Sequence, residues 1–105
     1  MSIETLAPAE VQAMVQNARN GAAYLKTLAH EGRLMILCHL SSGELSVGEL
    51  ENLLDIRQAA VSQMLARLRD QRLVTTRREG KTVYYSLSDD NTKRMIGLMH
   101  EMFCS

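Results

Sequence analysis

The stretch from Leu45 to Leu87 constrains the fold more than any other part of the chain, because its pattern changes from helical to strand-like along the way. Its first half carries apolar residues at helical spacing in two successive segments. Its second half carries β-branched and aromatic residues on both sides of a glycine. The stretch therefore predicts two helices joined by a short turn, followed by a two-stranded hairpin.

The second of these helices is predicted over residues 57–70 and is called the reading helix below. Its apolar residues fall at i, i+3, i+4 and i+7, on one helical face: Val61, Met64, Leu65 and Leu68. The opposite face collects short, hydroxyl, amide and guanidinium side chains: Ala59, Ser62, Gln63, Ala66 and Arg67. A helix in the major groove of duplex DNA uses this mixture, because small residues allow close approach while the polar ones bond to base edges or phosphates. The predicted DNA-binding residues of this helix are Arg57, Gln58, Ala59, Ser62, Gln63 and Arg67.

A supporting helix is predicted immediately before the reading helix. Ser46 is its expected N-cap, and Glu49, three residues later, completes the pattern of a capping box. Its apolar residues are expected to face inward: Val47, Leu50, Leu53 and Leu54. Residues 55–57 then form the turn between the two helices.

The hairpin is predicted over residues 73–87 and is called the wing. Residues 73–78 and 82–87 are the two strands, and Gly80 between them takes the positive φ of a tight turn. Arg77, Arg78 and Lys81 cluster near its tip, where they are expected to bind phosphates or the minor groove of DNA. The predicted fold class is therefore mainly α with a small β-hairpin, a winged helix-turn-helix.

The distribution of charge supports an interaction with nucleic acid. The whole chain has a net charge of zero, but between Arg57 and Lys81 seven basic residues accompany two acidic ones. A basic face on an acidic body directs DNA to one surface. A basic amphipathic helix or an arginine-bearing hairpin is, on its own, also typical of a solvated surface. Their succession within one stretch favours DNA binding.

At 105 residues, the chain is expected to form a single domain spanning residues 1–105. The sequence shows no signal-peptide pattern and no apolar run that approaches the about 20 residues of a membrane span. We therefore expect a soluble, cytoplasmic protein that does not contact membranes.

Helices outside this stretch are expected to form a dimer interface. Pro8 suits the first turn of an opening helix, a separate helix is expected through Leu25 and Leu28, and another over residues 31–40. The last helix begins near residues 89–91, and its apolar residues spread over more than one face: Met95, Ile96, Leu98, Met99, Met102 and Phe103. Methionine side chains adapt well to interfaces, so we expect the first and last helices to form a homodimer. The alternative is that the last helix packs only on its own core.

Two segments of the chain resemble the ArsR/SmtB family of dimeric winged-helix repressors. Residues 25–37, LKTLAHEGRLMIL, look like the family's opening signature, and residues 58–69, QAAVSQMLARLR, look like its reading helix. Arg57 departs from the family, which often has a serine N-cap there. The resemblance covers essentially the whole chain and implies a homodimeric repressor, not an enzyme, that binds operator DNA containing an inverted repeat.

The metal sites of this family are not expected in the chain. Ser46 and Gly48 stand where many members have metal-binding cysteines. Asp89 matches a second type of zinc site, but its other positions are occupied by Asn91, Met102 and Ser105. We therefore expect neither a metal nor a cofactor.

Cys38 and Cys104 are the two cysteines of the chain. From the residues alone, Cys38 is compatible with a small core side chain, whereas a penultimate cysteine is accessible to reagents. The chain is similar to the branch of BigR-, SqrR- and HlyU-like regulators, which carries one cysteine at each of these places. This similarity implies that a link formed between Cys38 and Cys104 by reactive sulfur species, or by oxidation, lowers operator affinity.

Two other roles for the cysteines stay open at this point, and a third is disfavoured. The same thiols are compatible with an ArsR-type metal or metalloid sensor, which would need further ligands. They are also compatible with structural cysteines in a regulator that has no thiol switch. A thiol oxidoreductase is disfavoured, since the chain has no Cys-x-x-Cys motif.

Overall fold

The computed structural model describes residues 7–104 and the side chains of residues 7–103. Five helices and three short strands follow one another as α1 Pro8–Leu28, α2 Glu31–Leu40, β1 Leu45–Ser46, α3 Val47–Leu54, α4 Gln58–Asp70, β2 Val74–Glu79, β3 Thr82–Leu87 and α5 Asp90–Cys104. The strands form one antiparallel sheet in the order β1-β3-β2. The predicted winged helix-turn-helix is confirmed.

The first helix, α1, is continuous over Pro8–Leu28, so the prediction of two separate helices there was wrong. The sequence around Gly21 contains no proline, and one glycine weakens a helix by about 1 kcal/mol without ending it. Thr27 and Leu28 are the buried residues of α1. Tyr24 packs against the core, and most of the helix before it is exposed. The radius of gyration is 16.6 Å, compared with about 13 Å for a compact domain of this size.

The core lies between α2, α4 and the sheet. Val61, Leu65 and Leu68, all on one face of α4, are completely buried. The core consists of Leu28, Ile36, Leu37, Leu40, Leu50, Val61, Leu65, Leu68, Leu73, Val74, Leu87 and Ile96. A Cβ at Gly32 of α2 would overlap the Sδ atom of Met64 on α4, and the flexible Met64 side chain would have to shift to admit it.

The predicted capping box begins α3. The Ser46 hydroxyl accepts the Glu49 backbone N–H at 3.2 Å, and the Glu49 carboxylate accepts the Ser46 backbone N–H at 3.0 Å. Leu50 is completely buried and Leu54 packs against the core, but Leu53 is 51% exposed, so its predicted inward position was wrong. In this eight-residue helix the i, i+4 pair Leu50 and Leu54 faces the core, and Leu53 lies outside that stripe.

The sheet contains one strand more than the sequence predicts. β1 pairs Leu45 with Tyr85 and Ser46 with Tyr84, and two residues are too few to give a recognisable strand pattern. In the wing, Glu79 pairs with Thr82, which leaves Gly80 and Lys81 as a two-residue turn. Gly80 has a φ of 60°, as its place in the turn requires.

The joint between α4 and the wing is short and hydrogen-bonded. Arg72 has a φ of 59°, and its N–H donates to the Arg69 carbonyl at 2.9 Å. The N–H of Leu73 donates to the Leu68 carbonyl, also at 2.9 Å. This pair of bonds is a Schellman motif, and the burial of Leu73 and Leu68 adds its usual apolar contact. The reading helix and the wing are therefore connected without a flexible linker.

We predict that Ser46→Ala lowers the free energy of unfolding by about 1 kcal/mol, because it leaves an N–H in the first turn of α3 without its acceptor. Urea unfolding at fixed protein concentration measures the change. The matched control is Ser42→Ala, in the exposed turn before β1, which should change stability by less than about 0.5 kcal/mol. Equal effects of the two variants would contradict a stabilising capping box.

Candidate nucleic-acid interface

The face of α4 opposite the core is entirely solvent-exposed. Burial of Val61, Leu65 and Leu68 turns the other side of the helix outward. The exposed residues there include Gln58, Ala59, Ser62, Gln63, Ala66 and Arg67. All the side chains predicted to read DNA from this helix are therefore accessible on one surface.

The beginning of α4 has an open, positively polarised end. Arg57 is the N-cap residue, with an extended backbone and an exposed side chain that makes no capping hydrogen bond. The first N–H groups of a helix carry partial positive charge and bind anions such as phosphate. Arg57 adds a full positive charge beside them, so this end of the helix suits a DNA phosphate.

The tip of the wing presents two cations. Arg78 and Lys81 are exposed and take part in no ion pair within the described part of the chain. β1 pairs only with Tyr84 and Tyr85 of β3, so both cations lie past the end of β1, on the side of the hairpin turn. They are therefore carried by a two-stranded ribbon that projects from the sheet.

Arg77, the third predicted cation of the wing, is held by carboxylates. Its Nε donates to Glu44 Oε2 at 3.1 Å, and its Nη2 donates to Glu44 Oε1 at 2.5 Å. Its Nη1 donates to Glu79 Oε2 at 2.8 Å, and the guanidinium lies 4.7 Å from the centre of the Tyr84 ring. The hydrogen bonds from Arg77 lower the pKa of the Glu44 carboxyl below its usual value, and both carboxylates raise the pKa of Arg77. The wing is therefore less positive than its sequence indicates.

The partners of Arg77 were missed at the sequence level. Glu44 lies 33 residues away from Arg77, so only the tertiary fold brings them together. Tyr84 could have been found, because a two-residue turn at Gly80 and Lys81 places it directly opposite Arg77 in the hairpin register.

Cys38 is half-buried in an apolar groove between α2 and α5. The groove has a volume of about 380 Å³ and is lined by Leu34, Met35, Cys38, His39, Met99, His100 and Phe103. Cys104 directly follows Phe103 in the sequence, and its side chain lies outside the described residues. Among the side chains that the structure describes, no three of the His, Cys, Asp and Glu residues are grouped to hold a metal ion.

The Asp89 carboxylate, the one residue that matches a zinc site of the family, caps α5. It accepts the Thr92 backbone N–H at 2.8 Å, and this bond lowers the pKa of Asp89 below its usual value. The predicted start of the last helix near residues 89–91 is thereby confirmed.

The helices α1 and α5 expose large apolar side chains on the described surface. The exposed fractions are 44% for Val15, 56% for Leu25, 51% for Leu98, 63% for Met102 and 72% for Phe103. A groove of about 1050 Å³ runs between these two helices and the end of α4, lined in part by Tyr24, Arg72 and Met95. Within residues 7–104, no helix combines the length and hydropathy needed to cross a membrane.

Two curated relatives resemble nearly the whole chain. The transcriptional activator HlyU of Vibrio cholerae is 48% identical over 98 residues, which cover 93% of this chain and 91% of that protein. The biofilm growth-associated repressor of Agrobacterium fabrum is 50% identical over 93 residues, which cover 89% of this chain and 80% of that protein. Both are transcription regulators, one named as an activator and the other as a repressor.

Solved structures match the fold as well. Reduced HlyU from Vibrio cholerae has a TM-score of 0.84 at 48% identity and covers 90% of this chain and 99% of its own. The transcriptional repressor BigR from Xylella fastidiosa has a TM-score of 0.78 at 40% identity and covers 89% of this chain and 92% of its own. Residues 30–76, which contain α2, α3 and α4, match the family described as bacterial regulatory protein, arsR family. The chain belongs to the ArsR/SmtB family of winged helix-turn-helix transcription regulators.

Proposed function

We propose that the protein is a homodimeric transcriptional repressor that binds an inverted repeat in operator DNA through α4 and the wing. The observation that carries this proposal is the division of α4 into a buried apolar face and a continuous exposed face of small, amide and guanidinium side chains. Repression follows where the bound dimer covers a promoter. The two relatives are named for opposite signs of regulation, one as an activator and the other as a repressor.

Base readout is assigned to the exposed face of α4. Gln63 has the two-pronged amide that recognises an adenine edge, and Arg67 has the fork that recognises a guanine edge. The small side chain of Ala59 lets the helix approach the wall of the major groove closely, and the Ser62 hydroxyl bonds to a base or to a phosphate. Gln58 and Arg57, at the start of the helix, are assigned to the DNA backbone and the nearest base pair.

Dimerisation is supported by the exposed apolar surfaces of α1 and α5. Phe103, Met102 and Leu25 are more than half exposed in the single chain, and α1 extends beyond the body with little intrachain packing. Large apolar patches of this kind are typical of interfaces, and a twofold axis would cover each patch with its own copy. Two copies of α4 would then read half-sites about one turn of DNA apart.

A thiol switch between Cys38 and Cys104 is proposed as the control of DNA affinity. Cys38 lies in the groove that α2 forms with the end of α5, and Phe103, the neighbour of Cys104 in the sequence, lines the same groove. The apolar lining suits small sulfur species better than it suits charged ligands. A link between the two residues would tie the last helix to α2 and change the dimer geometry that spaces the two copies of α4.

The chemistry of the switch is thiol exchange with a persulfide. The thiolate of one cysteine attacks the outer sulfur of a persulfide RSSH, which forms Cys–S–SH and releases the thiolate RS⁻. The second thiolate then attacks the inner sulfur, forms the disulfide and releases hydrosulfide. The two cysteines are oxidised by two electrons, and the transferred sulfur is reduced. Links that contain inserted sulfur consume further persulfide.

We predict that Arg67→Ala weakens binding to a duplex selected by the wild-type protein from a random library by about 10- to 100-fold, because a guanine contact is lost. Binding to unselected duplex should fall much less. Fluorescence anisotropy at one salt concentration measures both, and mass analysis of the complex should give two protomers per duplex. Arg69→Ala, on the same helix but outside the predicted set, is the matched control. Equal losses of affinity for selected and unselected DNA would mean that Arg67 contacts a phosphate and not a base.

We predict that Cys38→Ser and Cys104→Ser each abolish the loss of operator affinity that an anaerobic persulfide donor causes in the wild type. Binding by the reduced variants should stay within about twofold of the wild type, since neither cysteine is assigned to DNA. Intact-mass and peptide mapping should identify the link between residues 38 and 104 in the treated wild type. A response that survives in both variants would reject the switch, and zinc retained against a strong chelator would favour a thiol metal sensor.

A further inference from the structure

The wing tip rests on a narrow base. Of the six paired positions in each wing strand, only Tyr84 and Tyr85 of β3 are also paired to β1. Beyond them, the pairs Arg78 with Val83 and Glu79 with Thr82 form a ribbon of two strands. A two-stranded ribbon is marginally stable in water, so its direction depends on what holds its root.

Arg77 lies at this root and connects the two wing strands to Glu44, the residue just before β1. In the register of the sheet, Arg77 of β2 is opposite Tyr84 of β3, which is in turn opposite Ser46 of β1. The guanidinium of Arg77 stacks above the Tyr84 ring and reaches across the middle strand to Glu44, two residues before Ser46. The Glu44, Arg77, Glu79 and Tyr84 group, called the wing clamp, therefore joins the wing strands to the residue before β1 on one face of the sheet.

The hydrogen bonds of Arg77 leave it poorly placed to contact DNA. Its Nε, Nη1 and Nη2 atoms each donate to a carboxylate, and Glu44 receives two of these bonds in the fork geometry that arginine favours. A phosphate contact would require these bonds and the ring contact to break. Arg78, the next residue, points to the opposite face of the ribbon, because side chains alternate along a strand.

We propose that Arg77 is a positioning residue which, with Glu44 and Tyr84, fixes the direction of the wing tip so that Arg78 and Lys81 meet the DNA backbone. This inference rests on the proposed function, since it assigns the wing to DNA. It replaces the expectation that Arg77 itself binds a phosphate. Glu44, an acidic residue, thereby becomes necessary for tight binding to a polyanion.

The wing clamp orients the wing tip and contributes little to the stability of the whole fold. The side chains of Arg77 and Glu44 are 50% and 39% exposed, and exposed ion pairs contribute little to the stability of a fold. The wing clamp holds only while the Glu44 carboxyl is ionised. The hydrogen bonds of the clamp lower the pKa of Glu44 below the usual 4.5. The clamp is therefore intact above pH 4.5 and opens as the pH falls through the lowered pKa of Glu44.

The test compares Glu44→Gln with Arg77→Ala on a duplex selected by the wild-type protein. If Arg77 positions the wing, both variants weaken binding by about three- to tenfold and the double variant is no weaker than either, as expected for residues of one network. If Arg77 binds a phosphate, Glu44→Gln strengthens binding or leaves it unchanged, because a competing negative charge is removed. Strengthened or unchanged binding by Glu44→Gln overturns the proposal.

The Arg77→Lys variant and the salt dependence of DNA binding distinguish a positioning role from a general loss of structure. Lysine keeps the charge but loses the fork and the stacking, so a positioning role predicts the defect of Arg77→Ala and a phosphate contact predicts near wild-type binding. If Arg77 positions the wing, the slope of log K against log salt should flatten as much in Glu44→Gln as in Arg77→Ala, because both variants misplace Arg78 and Lys81, whereas a direct phosphate contact predicts flattening in Arg77→Ala alone. The slope should fall by about 0.9 for each lost contact in Lys81→Ala, the matched control.

Carboxyl NMR titration of Glu44 in free protein should show its pKa rising towards 4.5 in Arg77→Lys and not in Lys81→Ala. Far-UV circular dichroism verifies that each variant is folded. If Arg67→Ala and Lys81→Ala weaken binding while Glu44→Gln does not, the positioning role fails and the proposed function stands. If the wild-type protein selects no duplex, the proposed function fails, and the positioning role fails with it.

Discussion

The burial of one face of α4 is the interaction on which the rest of the structure depends. Val61, Leu65 and Leu68 are completely buried, and each contributes about 2 kcal/mol or more of apolar burial to the core. The same packing fixes the rotation of the helix about its own axis. Because side chains repeat every 3.6 residues, the residues left outside form one continuous surface. The force that folds the protein therefore also determines which side chains of α4 face outward.

The surface charge of the wing is set by the ion pairs of the folded structure, and the number of basic residues in the sequence overstates it. The run of basic residues between Arg57 and Lys81 indicates a strongly positive surface, but Arg77 is neutralised locally by Glu44 and Glu79. Charge that is paired with carboxylates attracts a polyanion less than unpaired charge does. Within the described residues, exposed arginines without an ion pair remain along α4, at Arg57 and Arg67, and unpaired cations remain at the tip of the wing, at Arg78 and Lys81.

Features with local causes could be predicted from the sequence. The capping box of Ser46 and Glu49, the turn at Gly80 and the apolar stripe of α4 each depend on residues a few positions apart, and all are confirmed. Exposure of the predicted DNA-binding side chains on α4 follows from the same periodicity. Their contacts with DNA stay predictions, as does the pairing of Cys38 with Cys104.

Features with distant causes could not be predicted in this way. The strand β1 exists because β3 lies beside it, and its two residues carry no pattern of their own. The exposure of Leu53 depends on which face of a short helix meets the core. Glu44 and Arg77 are brought together only by the assembled sheet. Each of these features requires the tertiary fold, which local propensity does not contain.

The Schellman motif at the joint after α4, where Arg72 lies, has a consequence for the proposed DNA partner as well as for the protein. With hydrogen bonds from Arg72 and Leu73 closing the end of α4, the helix and the root of the wing form one stiff unit. A stiff unit that touches a duplex at two places cannot adjust the distance between them. In the proposed complex with DNA, the duplex would supply the adjustment by bending or by narrowing a groove, at an energy that depends on its base-pair steps. The joint would therefore extend sequence preference to base pairs that no side chain reaches.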